Sequence, residues 1–387
     1  MPEPLRIVLV DHTARMGGAE WSLLRLVEWY DPADVRVTVV LGEDGPLAER
    51  LRLAGVAVVV CPLDPRLRER RKGSLTGRGL AGPRSIAMAI AAVLRLRRVF
   101  RELDAEIVHT NSLKAHLLGG LAGRLAGTLV LWHVRDHVSQ PYLPAAAVRA
   151  VRFAARSIPH GVVAVSHSAA RTVPRRDVAV LHQGVELPPS RGPRKANGAL
   201  RVGLVGRIAP WKGQDVFLAA AARVARTYPT AEFVLAGSPL FGEEEFEQEL
   251  RATAERDDLR GRVSFLGFRD DPHDVFLGLD VAVHASTQAE PYGNVVLEAM
   301  AAATPMVAAA AGGVLEIVED GETGVLVPPG DSDALAVALE RLLGDAPERE
   351  RLGAAGRRRV EEKFSLTGDA ERVVDIYRRL LAGEALG

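Results

Sequence analysis

Two carboxylates eight positions apart, Glu290 and Glu298, bracket a Gly-Asn pair in the stretch ASTQAEPYGNVVLEAMAAA (285–303). Glu290 falls in its polar part. Gly293-Asn294 reads as a helix start, because Asn caps well, and Glu298 then falls in the second turn. A helix start offers unpaired backbone N–H groups and the positive end of the dipole, which suits a phosphate. A carboxylate beside such a site is unfavourable unless it accepts hydroxyl protons, and sugar or ribose hydroxyls are natural donors. The same spacing also fits a polar loop followed by a core helix with one exposed glutamate. Upstream, Arg207 and Lys212 lie five apart in GRIAPWKG, with Gly206 and Gly213 at its ends. Two cations there would neutralise a diphosphate without a metal; two surface charges are the plain alternative.

The elements that must hold these groups read as alternating strands and helices. In the first half, Arg6–Asp11, Val35–Leu41, Val56–Cys61, Ile107–Thr110, Leu129–His133, Gly161–Ser166 and Val178–Leu181 are short, near-continuous apolar runs. Helical patterns separate them. This is a βαβ series, hence a parallel sheet covered on both faces. Met16-Gly17-Gly18 follows the first strand and precedes a helical pattern, the setting of a phosphate loop, though it is neither G-x-G-x-x-G nor a P-loop. The stretch 188–199 (PPSRGPRKANGA) reads as a linker. Beyond it Leu200–Val205, Glu232–Ala236, Val263–Leu266, Val281–His284, Met306–Ala309 and Gly324–Val327 repeat the architecture without repeating the sequence. After Asp331 the pattern is helical, and the segment 365–387 is expected to pack back across the junction. The expected domains are therefore 1–187 and 200–364.

In open α/β sheets ligands bind beyond the carboxyl ends of the strands. The residues there are Gly17, Gly18, Asn111, Ser112, His133, Ser166, Arg207, Lys212, Gly237, Ser238, Arg269 and Glu290. That set is rich in phosphate and hydroxyl partners and poor in metal ligands. His133 ends its strand in LVLWHVRD and suits a sugar hydroxyl or a reacting centre, or a satisfied core position. His109, His12, His137, His167 and His182 have similar settings, so position alone does not single it out. There is no G-x-S-x-G elbow and no H-E-x-x-H signature. One cysteine, Cys61, excludes an intramolecular disulfide and a cysteine metal cluster. The apolar runs are too short to span a bilayer, and the N-terminus runs straight into a strand pattern, so a cytoplasmic protein without a signal peptide is expected. Net charge is zero, but residues 1–190 carry +9 and the remainder −9. The first half thus suits an anionic partner, and the halves are expected to face each other across a cleft. The stretch 64–84 holds seven basic and two acidic residues. It reads as a solvated loop, or as a contact for an anionic acceptor or an inner-membrane surface. No nucleic-acid partner is expected.

Two Rossmann-like halves, Gly17-Gly18-Ala19-Glu20, Arg207 with Lys212, and Glu290 with Glu298 together resemble the retaining glycosyltransferases of family 4, of GT-B fold. HTNS (109–112), AVSHS (164–168), HQGVEL (182–187), FLGFRDD (265–271) and DGETGVLVPPGD (320–331) support the likeness. The resemblance implies a nucleotide-sugar donor, UDP ahead of GDP, and a hydroxyl acceptor: a lipid-linked glycan, a polysaccharide or a small metabolite. It implies no metal. Gly17 and Gly18 would approach donor or acceptor, and Asn111 and Ser112 the acceptor. Arg207 and Lys212 would clamp the diphosphate. Glu290 would bind donor-sugar hydroxyls, the backbone of Gly293, Asn294, Val295 and Val296 would meet sugar and phosphate, and Glu298 would hold the ribose. Gly237, Ser238, Phe268 and Arg269 would flank the base, and His133 matches the family's active-site histidine. Gln183 stands where Asn is common in the family. A sugar-nucleotide epimerase of the same fold, an inactive nucleotide-sugar-binding relative and an NAD-dependent oxidoreductase are the rivals. The last should carry the G-x-G-x-x-G that this chain lacks.

Overall fold

The structure, a computed structural model, describes residues 3–68, 83–189, 198–240, 242–256, 258–270 and 272–387. Most of the basic stretch 64–84 and of the linker 188–199 lies outside the described residues. The chain forms two compact units, Met1–Gln183 with Leu366–Gly387, and Gly184–Ser365.

The first unit is built on seven parallel strands: β1 (Leu5–Asp11), β2 (Val35–Leu41), β3 (Ala57–Val60), β4 (Ile107–Thr110), β5 (Leu129–Val134), β6 (Gly161–Ala164) and β7 (Val178–Val180), in the order β3-β2-β1-β4-β5-β6-β7. Their apolar runs are buried because helices cover both faces. One face packs on the helices Gly18–Glu28 and Pro46–Leu53 and on the last helix, Leu366–Leu381, which contributes Val373, Val374, Ile376, Tyr377 and Leu380 to the core. The other face packs on Pro83–Glu102 and Leu113–Ala126 around Val8, Val10, Val93, Leu96, Phe100 and Val108. Strand order reverses between β1 and β4, so the crevice beyond their carboxyl ends lies at Asp11-His12 and Asn111-Ser112.

The second unit holds six parallel strands: β8 (Arg201–Val205), β9 (Glu232–Ala236), β10 (Val263–Gly267), β11 (Val281–His284), β12 (Met306–Ala309) and β13 (Val325–Val327), in the order β10-β9-β8-β11-β12-β13. Its core gathers Val202, Leu204, Phe217, Phe233, Val283, Leu339 and Leu342 from the sheet and its helices. The reversal falls between β8 and β11, which brings the loop after Val205 beside the loop after His284.

Two expectations about edges are corrected. Residues 184–187 go with the second unit: Val185 pairs with Ser365 and donates its amide to the Phe364 carbonyl at 3.0 Å. Asn294 is the first residue of its helix (Asn294–Ala301) and does not cap it; the cap is Gly293, at φ 139°, without a side-chain hydrogen bond. That backbone angle favours glycine, and a Cβ there would crowd Val314 at 3.2 Å.

Candidate active site

In the second unit, four strand-end loops zip together through their backbones. Gly206 donates its amide to Ala236 O at 2.8 Å, Ile208 to Ser238 O at 3.1 Å and Gly237 to Gly267 O at 2.8 Å. Thr287 donates to Trp211 O at 2.9 Å, which ties the loop after β11 to the turn Pro210–Lys212. Gly213 closes that turn at φ 71°, and any Cβ there would fall 2.0 Å from the Ala285 carbonyl. Glycine is therefore required for the two loops to touch.

That contact sets Lys212 against Glu290. The Lys212 ammonium donates to both Oε1 and Oε2 of Glu290 at 2.8 Å. His284 Nε2 donates to Oε1 at 2.8 Å, and the Ser286 hydroxyl donates to the same oxygen. Glu290 is 8 % exposed. Burial alone would raise its pKa, but the Lys212 and His284 charges and their hydrogen bonds hold the carboxyl well below the usual carboxylate range. Three donors crowd Oε1, while Oε2 receives Lys212 and keeps acceptor capacity for a hydroxyl. Lys212 also lies 4.5 Å from the centroid of the Trp211 ring, and the Arg207 guanidinium 5.6 Å. Arg207 stands 3.7 Å from Glu243. The helix of Asn294–Ala301 begins three residues after Pro291. Val296 donates its amide to Gly293 O at 3.0 Å and is fully buried, so its side chain belongs to the core. Glu298 is buried, 7 % exposed, while Phe268 and Arg269 are exposed.

In the first unit, the switch point is a buried polar cluster. Asp11, 1 % exposed, accepts from the His12 amide at 2.6 Å, the Ser112 hydroxyl at 3.0 Å and Asn111 Nδ2 at 3.0 Å. Burial works against its charge; His12 and these donors more than offset it and lower its pKa. Arg135 is held on three sides, donating to Asn111 Oδ1 at 2.5 Å, to Gln183 Oε1 at 2.8 Å and to His133 Nδ1 at 3.3 Å. Burial pulls its pKa down to about 10, against the pull of Asp369, Asp11 and Glu20. Glu20 lies in the first turn of the helix Gly18–Glu28, where its Oε2 would sit 2.8 Å from a Cβ on residue 17, so Gly17 makes room for it. Burial, then Asp11, pushes the Glu20 carboxyl up to about 8.

The structure thus brings Lys212 and Glu290 together, and joins Asn111, Ser112 and His133 through Asp11 and Arg135. Asn111 is buried and committed to protein partners at both ends, which makes it a support of the site. Sequence reasoning passed over His284, Ser286, Asp11 and Arg135, and took Glu20 only as part of the Gly17-Gly18-Ala19-Glu20 motif, without a role. One usable signal was spacing: Arg135 stands two residues after His133, just past the end of β5.

Two parallel α/β units, each with its polar groups at a switch point, define the GT-B fold. Residues 17–189 match the family described as a glycosyl transferase 4-like domain, and residues 190–359 match glycosyl transferases group 1. The chain belongs to the group 1, family 4 glycosyltransferases. It is 35% identical over 179 residues to alpha-D-kanosaminyltransferase of Streptomyces kanamyceticus, covering 46% of this chain and 45% of that protein. It is 33% identical over 180 residues to the lipopolysaccharide core biosynthesis glycosyltransferase LpsE of Rhizobium meliloti, covering 46% and 49%. The chain spans about half the length of these curated relatives. Anabaena HepE, solved in complex with UDP and glucose, superposes with a TM-score of 0.82 at 25% identity, over 97% of this chain and 99% of that one.

Proposed function

We propose that the protein transfers a hexose-type sugar from a nucleoside-diphosphate donor to a hydroxyl acceptor with retention of anomeric configuration. The observation that carries this reading is the Lys212–Glu290 pair at the β8/β11 switch point, just ahead of the helix start at Gly293. Glu290 accepts sugar hydroxyls on Oε2. Arg207 and Lys212 stabilise the charge that develops on the departing diphosphate, together with the first amides of the helix, so that no metal is required. The sugar passes through an oxocarbenium-like state with front-face departure, and the leaving phosphate takes the acceptor's proton. UDP is the preferred nucleotide, which the HepE complex with UDP and glucose supports, and GDP is next. The acceptor is a lipid-linked glycan, a polysaccharide or a small hydroxylated metabolite, met in the cytoplasm or at the inner membrane face through the basic stretch 64–84.

The test is thermal unfolding with UDP, GDP and ADP, each with and without EDTA, followed by an acceptor screen. A ligand that binds only the folded state raises the midpoint. A rise with one nucleotide, unchanged by EDTA, fixes the donor class. No rise with any of them removes the donor site, and conversion of a nucleotide sugar without an acceptor favours the epimerase.

A further inference from the structure

A chain of four buried side chains in the first unit ends on His133. Tyr30 Oη and Tyr377 Oη are 2.9 Å apart, Tyr377 Oη is 2.6 Å from His109 Nδ1, and His109 Nε2 is 3.2 Å from His133 Nδ1. His109 and His133 stack with centroids 5.3 Å apart. His133 is 2 % exposed, and its Nε2 has no hydrogen-bond partner among the described residues. A buried polar atom left in that state points to a ligand atom that completes it.

The donors fix one direction along the chain. A guanidinium only donates, so the Arg135 contact at 3.3 Å makes His133 Nδ1 an acceptor. His109 Nε2, facing the same lone pair, must then carry hydrogen. That leaves His109 Nδ1 as the acceptor of the Tyr377 hydroxyl, and Tyr377 in turn accepts from Tyr30. The reverse arrangement sets a hydrogen on His133 Nδ1 against the Arg135 N–H. Burial, then the Arg135 charge, keeps the His133 ring neutral.

We infer that Tyr377 and His109, together with Arg135, are positioning residues that hold His133 in the Nε2–H tautomer, so that it offers a hydrogen-bond donor to an oxygen of the sugar substrate. The identity of that oxygen rests on the proposed transfer reaction; the tautomer does not. Tyr377 comes from the last helix, more than 240 residues after His133.

The full chain, labelled with 15N-histidine, is examined by long-range 1H–15N correlation without substrate, and its turnover is measured alongside. His133 is expected to be protonated on Nε2. In Tyr377→Phe, His109 is free to move its proton to Nδ1; its bare Nε2 then draws hydrogen onto His133 Nδ1 in competition with Arg135, and His133 is expected to show a mixture of tautomers. In that variant kcat falls about tenfold while KM stays within about twofold, as for a donor that acts on the reacting centre. A wild-type His133 protonated on Nδ1 overturns the inference, whether or not the variant folds. So does Tyr377→Phe with an unchanged tautomer, or with an altered tautomer and unchanged kcat. A wild type that shows the Nε2–H tautomer yet transfers no sugar sinks the functional reading and leaves the tautomer assignment standing.

Discussion

Replacing Lys212 by methionine keeps the length of its side chain and removes its charge. Side chains in the pair are 15% and 10% exposed, so the variant leaves a carboxylate in the interior with His284 and Ser286 as its remaining donors. Breaking one side of a buried pair costs about 3–5 kcal/mol, and the two surviving donors place Lys212→Met near 3. Glu290→Gln keeps an oxygen for the ammonium and costs less, about 1–3 kcal/mol. The double variant leaves no buried carboxylate, so it should be more stable than the single losses added together, with a coupling of about 2 kcal/mol. Because two units need not unfold together, the assay must report on one of them. Trp211 is the one tryptophan among residues 184–365, so its fluorine signal in 5-fluorotryptophan-labelled protein follows the second unit through a urea titration. The sign with pH is fixed as well. Glu290 is held below its unfolded pKa, so the pair's contribution is present above about pH 4.5 and fades as pH falls below it. A cost under about 1 kcal/mol for Lys212→Met, or strict additivity in the double variant, would refute the reasoning.

Glu20 titrates the other way. Its folded pKa lies near 8, above the unfolded 4.5, so stability should decline as pH rises between those values, by at most about 1.4 kcal/mol per unit, and level off above 8. Glu20→Gln should flatten that decline in pH-dependent denaturation; an unchanged slope would place the titration elsewhere. Gly213→Ala forces a Cβ into the Ala285 carbonyl at a positive φ and should cost about 2 kcal/mol or more, with a fall in nucleotide-induced stabilisation. Full nucleotide stabilisation in that variant would mean the two loops need not touch. Gln183→Leu removes an acceptor from Arg135 and should destabilise the first unit by about 1–3 kcal/mol, read by hydrogen exchange in β5; protection equal to wild type would show that Asn111 and His133 suffice to hold Arg135.

Much of this was legible because the relevant signals are local. Apolar runs such as Val35–Leu41 and Val281–His284 could hardly be anything but buried parallel strands, and their edges match the observed ones. Arg207, Lys212 and Glu290 stand out by type and by the glycines around them. The pairing of Lys212 with Glu290 was not legible, since it depends on which strands are neighbours: β8 meets β11 although two strands intervene in sequence. His284 looked like the last residue of an apolar strand, and Ser286 like loop polarity. The helix cap failed for a similar reason. Asn is a good cap in isolation, but packing against Val314 and Ile317 gave the position to Gly293. Tyr377 was beyond reach, because a tyrosine on the inner face of an amphipathic helix looks like ordinary core until its hydroxyl is found beside His109.

The last helix has a consequence for how the protein is made. The second unit is one continuous stretch, Gly184–Ser365, and has all its strands once that stretch has left the ribosome. The first unit does not. Val373, Val374, Ile376, Tyr377 and Leu380 fill its core, and Leu386 packs where a Cβ on Gly161 would meet it at 2.5 Å. At about 5–20 residues per second, the seven strands emerge roughly 10–40 s before the helix that seals them. For that interval the apolar flank of Leu26, Val27 and Tyr30 lacks its cover, so the part of the protein translated first is the part completed last. A chain arrested before residue 366 should present a finished second unit beside an open, chaperone-dependent first one.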